Sequence, residues 1–195
     1  TTNYQQQYEF SNSVNYINNY QGFYSTYTDQ FGDFGLQGGL RAEYTYRIFD
    51  LINESDEFVI DRWDYFPTIH TSYKFTEGSQ MMASYTRRIQ RPHGWELEPF
   101  LTWVDANNVR IGNPELLPEL IDSYEAGIQT FIGSVNLSVE LYHRITNNKI
   151  ERIRSVYEED ENVSLNTVAN IGKDFATGSE LMILFDPLKF WNENY

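Results

Sequence analysis

The stretch LQGGLRAEYTYRI, residues 36–48, alternates between two kinds of side chain almost without a fault. Leu, Ala, Tyr and Ile stand at the even positions, whereas Gln, Arg, Glu and Thr stand at the odd ones. Successive side chains of a β-strand point to opposite faces, so this period of two predicts a strand. One of its faces is apolar, and the other carries charges.

The same alternation recurs along the chain, and about seven strands are predicted, with an eighth beginning at FWNENY (190–195). The clearest are WDYFPTIHTSYKF (63–75), MMASYTRRI (81–89), LIDSYEAGIQTF (120–131), VNLSVELYHRI (135–145) and the weaker ELMILF (180–185). We expect one sheet whose apolar face holds Leu36, Leu40, Ala42, Tyr44, Ile69, Tyr73, Ala83, Tyr85, Ala126, Ile128, Leu137, Val139 and Leu141. Its opposite face is expected to hold Arg41, Glu43, Lys74, Arg88, Glu125 and Glu140.

The predicted connections are short and long in turn. Short turns with Gly or Pro are predicted at 31–33, 76–79, 132–134 and 186–189, and long links at 49–62, 90–119 and 155–166. An up-and-down meander with two unlike ends is typical of outer-membrane barrels, which have short periplasmic turns and long extracellular loops.

A soluble β-sandwich or lipocalin-like barrel is the alternative, since both also use alternating strands. Two features favour the membrane barrel. The predicted strands reach ten residues or more, whereas soluble strands cluster near ~5–6, and their polar faces carry Arg and Glu, as a water-filled lumen allows. The fold class predicted is therefore all-β, an antiparallel up-and-down meander over residues 1–195 that forms part of a large transmembrane β-barrel. Natural small barrels of this kind use even strand numbers, so an odd count predicts a segment of a larger barrel.

Composition and motif content exclude several classes of function. Fourteen basic against 28 acidic residues give a net charge of −14, which excludes nucleic acid as a partner. There is no cysteine, no visible signal peptide and no apolar run near the ~20 residues of a membrane helix. The three histidines stand in different segments, and the acidic runs DEF (56–58) and EEDEN (158–162) lack EF-hand spacing. Nucleophile, phosphate-loop and dinucleotide motifs are missing, so neither an enzyme nor a cofactor or metal site is predicted.

Five motifs in order carry a resemblance to a known family. They are Tyr85, Arg87, Arg88, Arg91 and Pro92; Pro99 and Phe100; Gly112, Asn113, Pro114, Leu116, Pro118 and Glu119; Ser123, Tyr124, Glu125 and Gly127; and Asn170, Gly172, Lys173, Gly178 and Glu180. With GLRAEYT (39–45) and YFPTIHTSYKF (65–75), they resemble the barrel of TonB-dependent outer-membrane receptors. Glu98 departs from the family pattern, which has Asn before Pro-Phe.

This resemblance implies a receptor that imports a scarce nutrient, such as a metal chelate, an oligosaccharide or a peptide. Its partners would be outer-membrane lipid, the imported ligand and the TonB complex, the last through a plug and TonB box that lie outside this sequence. A non-transporting outer-membrane surface protein on the same barrel, an adhesin or a structural antigen, is the alternative, and an outer-membrane protease or lipase is a third. A piece of barrel wall with open edges is also expected to self-associate when isolated in water.

The resemblance also assigns residues 90–119 to a long extracellular loop that folds over or into the lumen. Pro114 and Pro118 fix its path. Structural roles are expected for Arg87, Arg88, Arg91, Asn113, Pro114, Pro118, Glu119 and Glu125, with the arginines paired to lumenal carboxylates such as Glu115, Glu119 and Glu125. Candidate ligand contacts are the loop's aromatic and basic side chains His93, Trp95, Trp103 and Arg110.

Overall fold

A computed structural model describes residues 13–51 and 57–185, and almost all of them lie in strands. The strands are β1 (Val14–Phe31), β2 (Phe34–Leu51), β3 (Glu57–Thr76), β4 (Ser79–Gln90), β5 (Thr102–Asp105), β6 (Asn108–Arg110), β7 (Glu119–Ile132), β8 (Val135–Asn147), β9 (Ile150–Tyr157), β10 (Asp160–Asn170) and β11 (Lys173–Phe185). A single turn of 3-10 helix covers Gly94–Glu96. In the described ranges no helix is long and apolar enough to cross a membrane.

Seven long strands form one antiparallel sheet, here called the wall, in the order β1-β2-β3-β4-β7-β8-β11. Tight turns join its strands at one end, where Gly32, Gly78 and Gly133 have φ of 61°, 83° and 59°. Glycine adopts this left-handed conformation without the steric cost that a Cβ atom brings. The predicted all-β meander of about seven strands is confirmed.

The wall's register sorts side chains as the sequence predicts. Ala83 lies opposite Ala126, which lies opposite Leu141 on the next strand. Glu43 lies opposite Asp64 on the other face. Every residue predicted for the apolar face falls on one side, and every residue predicted for the charged face falls on the other. We call these sides the apolar face and the charged face.

Aromatic rings border the apolar face at both ends of the wall. Near the tight turns lie Phe31, Phe34, Tyr73 and Phe75, and toward the other end lie Phe23, Tyr44, Trp63, Tyr65, Tyr85, Tyr124 and Phe175. Phe34 and Tyr44 stand ten positions apart on β2. That separation is ~33 Å along a strand, or ~25 Å across a membrane for a strand tilted by ~40°. The apolar band between the rings therefore has the height of a bilayer core.

Four shorter strands form a second sheet, the mouth sheet, in the order β5-β6-β10-β9. Strands β9 and β10 prolong the β8–β11 hairpin beyond a break at Asn148 and Gly172, whose φ values are 55° and 61°. The break turns the mouth sheet over the charged face, so that Val168 of β10 packs with Phe49 of β2. Leu97 and Leu116 complete this small core.

The connections differ from the sequence prediction in three places. The link predicted at 49–62 is mostly strand, since Asp50 pairs with Glu57 and only residues 52–56 fall outside the described ranges. The link predicted at 155–166 lies in the β9–β10 hairpin, and the 90–119 loop contains β5 and β6. These strands escaped detection because β9 is exposed on both faces and β5 and β6 are three or four residues long. The predicted turn 186–189 and eighth strand lie outside the described residues.

Candidate functional site

Residues 112–119, the segment GNPELLPE, are fixed to the rest of the loop by backbone hydrogen bonds. The Gly112 N–H donates to the Glu98 carbonyl at 2.8 Å, and the Asn113 N–H donates to the Glu96 carbonyl at 2.6 Å. A Cβ atom on Gly112 would lie 2.7 Å from backbone atoms of Glu96 and Glu98. Only glycine lets the two chain segments approach this closely.

Arg47 anchors the same segment to the wall. Its side chain is on the charged face of β2, and Nη2 donates to the carbonyls of Pro114 at 3.1 Å and Leu116 at 2.9 Å. Arg47 is 6% exposed and Leu116 is fully buried beside Phe49. A buried carbonyl without a partner is costly, so one arginine satisfies two groups that the proline-rich path leaves outside a strand.

The end of the segment is tied to the mouth sheet. Asn170 exchanges two hydrogen bonds of 2.9 Å with the backbone of Leu117. The Glu119 carboxylate accepts from Lys149 Nζ at 3.1 Å and from the Ile150 N–H at 2.8 Å. The hydrogen bond to Glu119 raises the pKa of Lys149 above its ordinary value. Wall, loop and mouth sheet are therefore joined into one unit.

Two carboxylates are buried on the charged face beneath this assembly. Glu43 and Asp64 lie directly opposite each other and are each 4% exposed. Arg41 and Arg91 both pair with Glu43, and Arg62 pairs with Asp64. The Arg91 guanidinium also lies 4.4 Å from the ring centre of Tyr20. Buried charges of this kind are tolerated because each has a partner of opposite sign.

The predicted arginine partners are therefore wrong. Arg91 pairs with Glu43 rather than with Glu115, Glu119 or Glu125. Glu125 accepts long hydrogen bonds of 3.4 Å from the Ser84 and Ser123 hydroxyls. Cross-strand register decides such pairs, and sequence order alone does not give that register.

Arg87 is a second correction, because it lies on the apolar face and not among the lumenal arginines. It follows Tyr85 by two positions and lies opposite Asp122, as Tyr85 lies opposite Tyr124. Its Nε donates to Asp122 Oδ1 at 2.7 Å, and the Tyr85 hydroxyl donates to the same oxygen at 2.7 Å. Arg88, the next residue, is on the charged face as predicted.

The four candidate ligand contacts are brought together only in part. Trp95 packs against the small core, and the guanidinium of Arg110 lies 5.7 Å from its ring centre. Trp103 is 45% exposed on the mouth sheet, edge-on to Tyr157 at 6.1 Å. His93 is exposed and is the N-cap residue of the 3-10 helix, and its N–H donates to Glu96 Oε2 at 2.7 Å.

Sequence reasoning missed several residues of this assembly. Arg47, Glu43 and Lys149 each join segments far apart in the chain. The alternating pattern of β2 already predicted a charged face for Arg47 and Glu43, and that was the one signal present. In the described ranges, no three His, Asp or Glu side chains are grouped so as to hold a metal ion.

The wall, with its aromatic borders, its bilayer-high apolar band and its charged opposite face, defines an outer-membrane β-barrel protein. Residues 1–195 match the outer membrane protein beta-barrel family, and the chain belongs to it. The apolar face is thus the lipid-facing surface in the outer membrane, and the charged face lines the lumen. No curated protein matches the sequence.

Solved structures that share the fold include receptors and transporters. The hemophore receptor HasR of Serratia marcescens, solved with its hemophore HasA and heme, superposes with a TM-score of 0.70 at 14% identity, over 87% of this chain and 32% of HasR. The siderophore receptor PirA of Pseudomonas aeruginosa gives 0.60 at 14%, over 90% and 41%. The FrpB iron transporter of Neisseria meningitidis gives 0.61 at 15%, over 92% and 25%. The chain therefore spans less than half the length of each, and the predicted barrel-wall fold is confirmed.

Proposed function

We propose that this chain forms part of the barrel wall and the mouth sheet of a TonB-dependent receptor. The receptor imports a scarce nutrient, which is a metal chelate, an oligosaccharide or a peptide, and it does so without covalent chemistry. The observation that carries the proposal is the folding of residues 91–118 and the mouth sheet over the lumenal face. A wide barrel partly covered from its extracellular end suits capture of a ligand before passage. The receptor and transporter fold of its structural neighbours supports the same function.

Within this function, the exposed residues His93 and Trp103 contact the ligand. Arg110 and Trp95 lie against each other and offer a second contact region, because Arg110 pairs with Thr102 and so is on the opposite face of the mouth sheet from Trp103. Asn113, Pro114, Pro118 and Glu119 have a structural role, since each holds the loop in its path over the lumen. Asn113 does so through its side-chain oxygen, which accepts from the Glu115 N–H at 3.0 Å.

Uptake by the full-length protein tests the proposal. We expect a strain that expresses it to accumulate a labelled nutrient of one of the three classes, and to lose that uptake when TonB is deleted. Replacing Arg47 with Met is expected to reduce uptake, because it frees the loop. Arg144→Met, at an exposed lumenal arginine outside the loop anchor, is the matched control.

Normal surface display of the protein without TonB-dependent uptake of any nutrient class would contradict import. Binding of host or neighbouring cells under those conditions would instead support a surface adhesin on the same barrel.

A further inference from the structure

Positive charge is concentrated on one face of the mouth sheet, although the chain carries a net charge of −14. Arg110 of β6 pairs with Asn166 of β10, which pairs with Arg154 of β9. Paired residues on neighbouring strands point to the same face of a sheet, and so do residues two positions apart on one strand. Arg152 therefore shares the face of Arg154 and Arg110. Three guanidinium groups therefore share one face of a four-stranded sheet.

These arginines surround Trp95. Arg110 and Arg152 both lie against its ring, with guanidinium carbons 5.7 and 5.2 Å from the ring centre. Trp95 is itself fixed by its packing against the core of Phe49, Leu97 and Leu116. The indole therefore holds two like charges in one place, which repel one another unless something neutralises them.

The protein neutralises little of this charge. Arg110 has one carboxylate partner, Glu98, at 3.8 Å, the longest of the described ion pairs. Arg154 donates to the neutral Ser164 hydroxyl at 2.8 Å. Neither Arg152 nor Arg154 forms an ion pair with a described residue, and both are exposed. Exposed N–H donors are thus left free for an outside acceptor.

We propose that Arg110, Arg152 and Arg154 form a binding site for a small ligand with two or more anionic oxygen groups, such as a polycarboxylate or its metal complex. Arginine donors bind carboxylate oxygens in a fork of two hydrogen bonds. Arg110 and Arg154 stand two strand spacings apart, ~10 Å between backbones, so a ligand with anionic groups at both ends bridges them. The proposal rests on the proposed receptor function and narrows its ligand to an anion.

Binding to the purified full-length protein in detergent tests the site, with citrate, ferric citrate and uncharged maltohexaose as probes in calorimetry. We expect ferric citrate or citrate to bind, and maltohexaose not to. The double variant Arg152→Gln/Arg154→Gln should bind the anion at least about tenfold more weakly. Affinity for the wild-type protein should also fall as NaCl is raised from low to high concentration.

Arg144→Gln is the matched control, because Arg144 also donates to one serine hydroxyl, at 3.3 Å, and lies 5.6 Å from one aromatic ring centre. It should leave the affinity unchanged. Arg152→Lys/Arg154→Lys keeps the charge and should lie between wild type and the Gln variant, which separates lost attraction from misfolding.

Equal affinity of the wild-type and Gln variants would overturn the site, and so would binding of maltohexaose alone or of no probe. The arginines would then serve only to pack Trp95. Failure of the receptor function is a separate outcome. In that case anions bind as expected and the Gln variant loses them, but no uptake depends on TonB.

Discussion

Gly112 and Arg47 both hold residues 112–119 in place. Gly112 does so because it has no side chain, and Arg47 does so because its side chain is long. Gly112 allows backbone contact with Glu96 and Glu98, and Arg47 reaches from the wall to two carbonyls. Neither role depends on the ligand. At the scale of single residues, the mouth is ordered by buried backbone hydrogen bonds that a substitution can remove one at a time.

Gly112→Ala is expected to loosen the loop. Its Cβ would meet three backbone atoms at 2.7 Å, and backbone cannot rotate away as a side chain can. We expect about 1–3 kcal/mol of local destabilisation, seen as faster proteolysis within 91–118 in the full-length protein. Gly94→Ala is the control, since nothing lies within 4 Å of the Cβ it would add. Equal cleavage of the two variants would refute the close approach.

Asp105 and Asp160 give the mouth sheet a pH dependence. The Asn107 N–H donates to Asp105, the Asn162 N–H donates to Asp160, and these hydrogen bonds hold the pKa of both carboxyls below the ordinary value of 3.8. A depressed folded-state pKa contributes stability that is present above pH 3.8 and lost as the pH falls through the lower folded value. The β5–β6 and β9–β10 turns should therefore open in strong acid.

Pepsin cleavage of the full-length protein at pH 2 and pH 4 measures that opening. Cleavage at these turns, relative to cleavage elsewhere, should rise at pH 2 in the wild type. Asp105→Asn/Asp160→Asn should show the same ratio at both pH values, because an amide oxygen accepts hydrogen bonds without titrating. A wild type that behaves like the variant would mean that these carboxylates do not hold the turns.

Among the elements, most of the wall was predictable from sequence, apart from the ends of β2 and β3 within 49–62, and the strands of the mouth sheet were not. Strands β2, β4, β7 and β8 have one face toward lipid and the other toward water, so apolar residues recur at every second position of their sequences. Strand β9 has no buried face, so its sequence carries no such pattern. Arg47 could be assigned to a face, but its bond to Pro114 depends on how a loop 67 residues away folds back.

The break at Asn148 and Gly172 decides where the mouth sheet lies. Gly172 has φ of 61° and nothing within 4 Å of a Cβ atom, so Gly172→Val tests backbone conformation alone. A β-branched residue in the left-handed region costs about 1–2 kcal/mol. Hydrogen exchange in β9 and β10 should therefore be faster in this variant. Gly38→Val, on the lipid-facing side of β2 with nothing within 4 Å of its Cβ, should leave that exchange unchanged. Unchanged exchange in both would show that the break does not require glycine.

The whole molecule is organised by one division, lipid on one side of the wall and lumen on the other. Outward side chains such as Tyr65 and Leu141 are 56% and 57% exposed, a state that water disfavours and a bilayer accommodates. Lumenal Glu43, Arg47 and Phe49 are buried instead, because the loop and mouth sheet cover them. The proposed ligand site lies on this covered side, so both function and fold depend on the sidedness.

Spin labels placed singly at Val139, Glu140, Leu141 and Tyr142 of the full-length protein in lipid vesicles test that sidedness most directly. Oxygen partitions into the bilayer and a charged nickel chelate stays in water. The accessibility to oxygen should therefore be high for labels at 139 and 141 and lower for labels at 140 and 142. The predicted result is this alternation, with the odd-numbered positions facing lipid. Equal accessibility at all four sites, or the opposite phase, would contradict the barrel wall.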